Sequence, residues 1–207
     1  MSEWPAIALS AIGAIASAVT AWIAWLALRT WKHQDRANRE AQFLDSLVDA
    51  MHAYVAAIAT PVAILEIVQI GFRAYAPING DHDSYVDGAI AYIKKRGEDT
   101  GERLYDATKA ASHEYAALKA LATKGQLFSF SDYKECYLAL AKITWQFDRM
   151  VAVATALRSN WATDNPEVYE HLRSIASIDR ASVDEAITEN SKLVLAFVKD
   201  TYARIYR

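Results

Sequence analysis

Residues 5–28 read PAIALSAIGAIASAVTAWIAWLAL, and no ionisable side chain stands between Glu3 and Arg29. As a helix this run is roughly 36 Å long at about 1.5 Å per residue, enough to cross about 30 Å of hydrocarbon with some tilt. A cleaved signal peptide has a basic start and an apolar run about half as long, whereas this chain opens MSEW and continues unbroken. The expectation is one membrane-spanning helix. Arg29, Lys32, Arg36 and Arg39 follow it with only Asp35 opposing them nearby, while the other flank carries Glu3 and no lysine or arginine. Positive charge stays inside, so the expected topology is single-pass in the inner (cytoplasmic) membrane, with the N-terminus outside and the C-terminal domain cytoplasmic. Trp4 at one end and Trp22, Trp25 and Trp31 at the other fall where indole rings favour the headgroup region. The four residues before the span leave nothing outside large enough to sense a ligand.

The chain then divides into residues 1–30, a transmembrane helix with a short external N-terminus, and residues 31–207, a cytoplasmic domain. The second part has the size of one ordinary domain. A net charge of −3, with 23% charged and 53% apolar residues, belongs to a folded protein and excludes a disordered chain or a basic nucleic-acid binder. The single cysteine, Cys136, excludes an intramolecular disulfide framework and fits a reducing compartment.

On a wheel of about 100° per residue, Ser10, Gly13, Ser17 and Thr20 share one face of the span, joined further along by Ala24 and Ala27. Bulky Ile12, Ile15, Val19, Trp22 and Leu26 fall opposite. Small residues let helix backbones approach, and hydroxyls bond across an interface that hydrocarbon cannot satisfy. The stripe therefore reads as a contact between copies of the chain, with a tetramer as the working expectation. In a dimer those side chains pack fully; in a ring of four or more they line a narrow passage, where hydroxyls partly replace an ion's water shell. If the helix continues unbroken, the same register carries Trp31, Gln34, Asn38, Ala41 and Asp45 onto the axis.

From Phe43 onward, Leu44, Val48, Met51, Val55, Ile58, Val62 and Leu65 recur at spacings of four and three, the mark of a long amphipathic helix. Pro61 should bend it, and it should fade near Gly71. Residues 53–65 are too short for a second span and read as buried core. The run Asn79, Gly80, Asp81, His82, Asp83 has the composition of a turn, and a helix should start around Ser84. Gly97 and Gly101 should break or hinge that helix, and residues 104–122 read as the next one, ended by Gly125. Ser131 is a possible cap before helical residues 133–157; Asn165, Pro166 and Glu167 form a helix start; Ser182 and Glu185 match a capping box before the last helix. Nothing alternates at period two for long enough to make a sheet, so the expected class is all-α: one N-terminal transmembrane helix followed by a cytoplasmic helical bundle.

None of the five histidines sits in a HExxH, paired ExxH or Cys/His pattern, and there is no Walker A loop, GxGxxG or GxSxG elbow. Asp49 and His52 have ligand-pair spacing but lack a second pair. The expectation is no enzyme, no metal and no cofactor. Basic and aromatic residues do cluster: Lys94, Lys95, Arg96 and Arg103, and then Arg149 and Arg158 beside Trp145. Such a set can hold a phosphorylated ligand by charge, hydrogen bonds and stacking, and an ordinary solvated helix face looks the same.

By the plan of the whole chain, and by no motif, the protein resembles small bacterial anti-phage effectors in which a short membrane segment is fused to a cytoplasmic sensor. These include the channel subunit of Hailong-type systems and the membrane effectors of type III CRISPR systems. The resemblance implies a homo-oligomeric ion channel gated by a nucleotide or single-stranded oligonucleotide that a partner enzyme makes, with membrane depolarisation and growth arrest as output. The alternative is a membrane-tethered helical adaptor or scaffold that docks a protein partner. Trp31 falls at the mouth of the passage in the first reading and is an interfacial anchor in the second. Replacing it with alanine separates these roles: a constriction leaks ions when opened, whereas an anchor only loses its registration in the bilayer.

Overall fold

Apolar side chains spaced by three and four along residues 43–72 need a partner surface, and the rest of the chain supplies it. A computed structural model describes residues 4–77, 84–161 and 165–206, with side chains from residue 17 onward. Among the described residues the chain is all-α, with no strand and six helices: α1 Trp4–Ala74, α2 Ser84–Ala110, α3 Ser112–Gly125, α4 Tyr133–Arg158, α5 Pro166–Ala176 and α6 Arg180–Ile205. One helix is long and apolar enough to cross a membrane, and it lies near the N-terminus.

Four rods make the bundle. α1 runs one way, α2 and α3 return in series, α4 runs parallel to α1, and α6 returns; short α5 bridges α4 and α6 at the far end. Leu44, Leu47, Met51, Tyr54, Ile58, Leu65, Val68 and Phe72 of α1 are buried against Leu104, Leu118, Leu140, Ile143, Met150, Val183 and Val194. Each such side chain contributes about 1.5–3 kcal/mol on leaving water. The buried stripe takes in Leu47 and Tyr54, while Val48 and Val55 are only half-buried at its margin. Tyr54 crosses the core and donates to Ile143 O at 3.0 Å, and burial pushes its phenol pKa up. Gln69 ties the α5–α6 corner to α1: its Nε2 donates to Ala176 O at 3.1 Å and Ile178 O at 2.5 Å, and its Oε1 accepts from Tyr85. Cys136 is buried, which pushes its thiol pKa up to about 12 and leaves it inert.

α1 contains Pro61 and ends at Ala74, three residues past Gly71 and close to where its fading is expected, and Gly71 leaves room for the Tyr92 ring. Other local expectations give way to packing. Gly97 and Gly101 do not break α2. They are buried inside it, and a Cβ at Gly97 would overlap the Leu157 carbonyl oxygen, so their missing side chains let α4 approach. The break falls instead at Ala111, between α2 and α3. Asp132, in the left-handed region with φ 64°, stands before α4 in place of Ser131 and makes no side-chain cap. Asn165 caps α5 as its sequence implies, accepting from Glu167 N. For α6 the cap is Asp179, whose Oδ1 accepts from Ser182 N at 2.8 Å; Ser182 itself sits inside the first turn. The turn read at residues 79–83 lies outside the described residues.

The glycine contact is open to a direct test. Alanine at 97 gains about 1 kcal/mol of helix propensity, but its Cβ meets a backbone carbonyl oxygen that cannot move aside, which puts the overpacking cost at about 2–3 kcal/mol. Gly97→Ala should therefore lower the unfolding temperature by roughly 2–8 °C for a domain of this size, followed by circular dichroism of the full chain in detergent.

Candidate functional site

Two regions carry the residues singled out from the sequence. The first is the free part of α1. Every residue from 17 to 34 is exposed, and the first buried position is Ala41, so the helix projects from the bundle as a bare rod. Ser17, Thr20, Ala24, Ala27 and Trp31 all belong to this rod, with α-helical register kept throughout. The side chains of Ser10 and Gly13 lie outside those described. Trp22 and Trp25 pack at 5.3 Å, and Arg29 sits 5.7 Å from the Trp25 ring. Beyond the apolar run the rod is braced within itself: Arg36 Nε bonds Glu40 at 2.7 Å and Arg39 bonds Asp35 at 2.7 Å, pairs worth a few tenths of a kcal/mol each.

The bundle sets a limit on the stripe. Ala41 is only 8% exposed, and the Tyr202 hydroxyl of α6 donates to Asp45 Oδ1 at 2.5 Å and lies 3.2 Å from Ala41 O. An axis drawn through Trp31, Gln34 and Asn38 therefore meets α6 of the same chain at Ala41, while Asp45 stays exposed beside Tyr202.

The second region is a groove of about 740 Å³ where α2 meets the end of α4, the residues that follow it and Leu172 of α5. Lys94, Lys95, Arg96 and Arg158 line it together, opposed by the carboxylates of Glu98, Asp99 and Glu102. Its floor is the glycine contact, since Gly97 draws α2 against Leu157. Arg158 lies 4.6 Å from the Tyr105 ring, and Lys95 Nζ lies 5.5 Å from Tyr75. The sequence reading missed Asn160 and Trp161 on the opposite wall; Trp161 is held by its indole N–H, which donates to Ala156 O at 2.7 Å.

The remaining members of the predicted set lie elsewhere. Arg103 follows Glu102 on α2, exposed and turned away from the groove lining. Arg149 is nine residues before Arg158, which turns it to the opposite face of α4 at about 100° per residue. There it stacks 5.2 Å from Trp145, donates to Gln146 Oε1 at 2.7 Å and reaches Ser182 Oγ at 3.4 Å. Burial lowers its pKa from the usual arginine value, and the nearby Asp179 carboxylate counters that shift. The basic set is two separate places.

Comparison with family models, curated proteins and solved structures returned no match.

The separation predicts unequal mutants. Titrating a fluorescent 5′-phosphorylated oligonucleotide against the full chain in detergent, Arg158→Gln should weaken binding by roughly tenfold, the loss of one charge-assisted contact. Arg149→Gln should leave it unchanged. Equal losses would mean that the groove is not where phosphate binds.

Proposed function

We propose that this protein is a single-span effector of the bacterial inner membrane that assembles with copies of itself and conducts ions when a phosphate-bearing ligand occupies its cytoplasmic bundle. The continuity of α1 from Trp4 to Ala74 carries the reading: the rod that would cross the bilayer is also the central helix of the bundle core. There is no linker to absorb motion. A change in the angle between bundles must then appear as a change in the angle between spans, which is the coupling a gated pore needs.

The groove supports a nucleotide or oligonucleotide as the ligand. Its four cations suit phosphate, its three carboxylates can accept hydroxyl donors of a ribose, and Trp161 offers an aromatic surface to a base. It lies on the membrane-distal half of the bundle, roughly 50 Å along α1 from Leu28 at about 1.5 Å per residue. The stripe Ser10, Gly13, Ser17, Thr20, Ala24 and Ala27 would face the axis, narrow and weakly polar. In bacterial defence, which the plan of the chain resembles, such an opening depolarises the membrane.

The tethered adaptor has one observation in its favour. Leu138 and Trp145 stand two turns apart on the outer face of α4, 49% and 57% exposed, and a docked protein would cover them.

Expressing the chain in cells loaded with a potential-sensitive dye, beside a version with Ser10, Ser17 and Thr20 changed to leucine, distinguishes the two. The native stripe should depolarise cells once the ligand-making partner is supplied, and the leucine version should not. Unchanged potential with both chains under every condition leaves the adaptor in place.

A further inference from the structure

The end of the bundle from which the rod projects is unlike the other. It is built from the α3–α4 connection, residues 126–132, and the last turn of α6. Phe128 and Phe130 fold back onto Phe43, with ring centroids 4.8 and 5.7 Å away, and pin the connection to α1. That leaves Leu127 outside, 85% exposed, and Tyr206 at the end of α6 is 70% exposed. Beside them a recess of about 260 Å³ is lined by His33, Arg36, Glu40, Ser129, Ser131 and Arg204. Arg204 donates to two neutral oxygens, Ser131 O at 3.5 Å and Thr201 Oγ1 at 3.0 Å. Arg36 bonds the one carboxylate, Glu40, and its side chain stays 65% exposed.

The height of this recess gives it meaning. His33 and Arg36 lie five and eight residues past Leu28, about 8–12 Å along the helix axis, and a tilted span shortens that depth. Headgroups extend about 5–8 Å beyond the hydrocarbon, and an arginine side chain bridges the difference. Arg29 and Lys32 add positive charge on the approach, while Arg39 is paired with Asp35.

Resting on the reading that residues 5–28 span the bilayer, we propose that this end of the bundle docks on the adjacent leaflet. With the bundle tilted onto the leaflet on this side, His33, Arg36 and Arg204 hold the phosphate of an anionic phospholipid, and Leu127, whose neighbour Phe128 packs at the level of Phe43 about 22 Å past Leu28, is carried down to the headgroup layer. Continuity with the anchor, cationic lining and an outward leucine all point to a lipid surface as the occupant. Docking would give each bundle a resting angle to the membrane, and so set the position from which α1 moves.

The test uses the full chain with Cys136→Ala and Leu127→Cys, labelled at 127 with an environment-sensitive fluorophore and reconstituted into vesicles. In phosphatidylcholine with added phosphatidylglycerol, emission should shift to the blue and be quenched by a headgroup nitroxide lipid; in phosphatidylcholine alone both effects should be small. Arg36→Gln with Arg204→Gln should lower the ratio of docked to undocked label roughly thirtyfold, from the usual surface attraction of two arginines, and high salt should act likewise. Both arginines are surface residues, so the fold should survive, as circular dichroism would verify. Equal quenching in the two lipid mixtures, or a difference that persists in the double variant, overturns the proposal. So does a blue shift produced in pure phosphatidylcholine by inorganic phosphate at matched ionic strength, which would mark a soluble-anion site. Lipid-independent quenching between labelled copies would mark a protein contact and overturn it too. Flotation with the vesicles is scored separately: a chain that does not float has lost the membrane-spanning reading itself.

Discussion

One helix carries two kinds of apolar surface. Along α1 the described part of the first apolar stretch, residues 17–28, is exposed around its whole circumference, as a helix in lipid would be, whereas the second is apolar on one side only, as a bundle core requires. The change takes place between Arg29 and Glu40, where six charged residues and a histidine occupy twelve positions and two i,i+4 ion pairs hold the backbone helical in water. Without that self-braced segment the anchor and the bundle would be independent bodies. With it, every helix that packs on residues 41–72 also fixes the direction in which the anchor leaves.

The glycines of α2 are the second constraint. Gly88, Gly97 and Gly101 are buried where backbone of α1 or α4 comes closest, and the groove exists because α2 and the end of α4 meet there and the chain then turns away toward α5. Their effect is steric, with no special backbone angle: among the described residues no glycine has positive φ. Glycine in a helix interior costs about 1 kcal/mol against alanine, which close packing must recover.

The helical class and the element starts at Ser84, Tyr133 and Pro166 were legible because they rest on local signals: long periodicity, a proline in the first turn, an asparagine before it. What was not legible depends on partners distant in sequence. Gly97 and Gly101 read as breakers because their value lies in Leu157 and Arg158, more than fifty residues away. The basic cluster divided for the same reason: Lys94, Lys95, Arg96 and Arg158 share a groove, while Arg149 faces α6, and no composition count distinguishes one face of α4 from the other. The register that unites Ser17 with Asp45 carries no sign that Tyr202, far along the chain, covers Ala41 between them.

That cover matters for how copies could meet. If copies converge along Ser17, Thr20, Ala24 and Trp31 as proposed, Tyr202 over Ala41 would hold their bundles apart below Asn38, and the bundles would splay outward from the axis. A splayed arrangement puts the recess at His33, Arg36 and Arg204 beneath the headgroups and leaves the groove at Arg158 on the far end of each arm, where a small change in angle gives the largest displacement. Contacts near the membrane would then act as the fulcrum, and ligand in the groove as the load. The interaction between Tyr202 and Asp45 stands where the rod leaves the bundle, and in such an assembly it would set how far the stripe can be followed before the copies part.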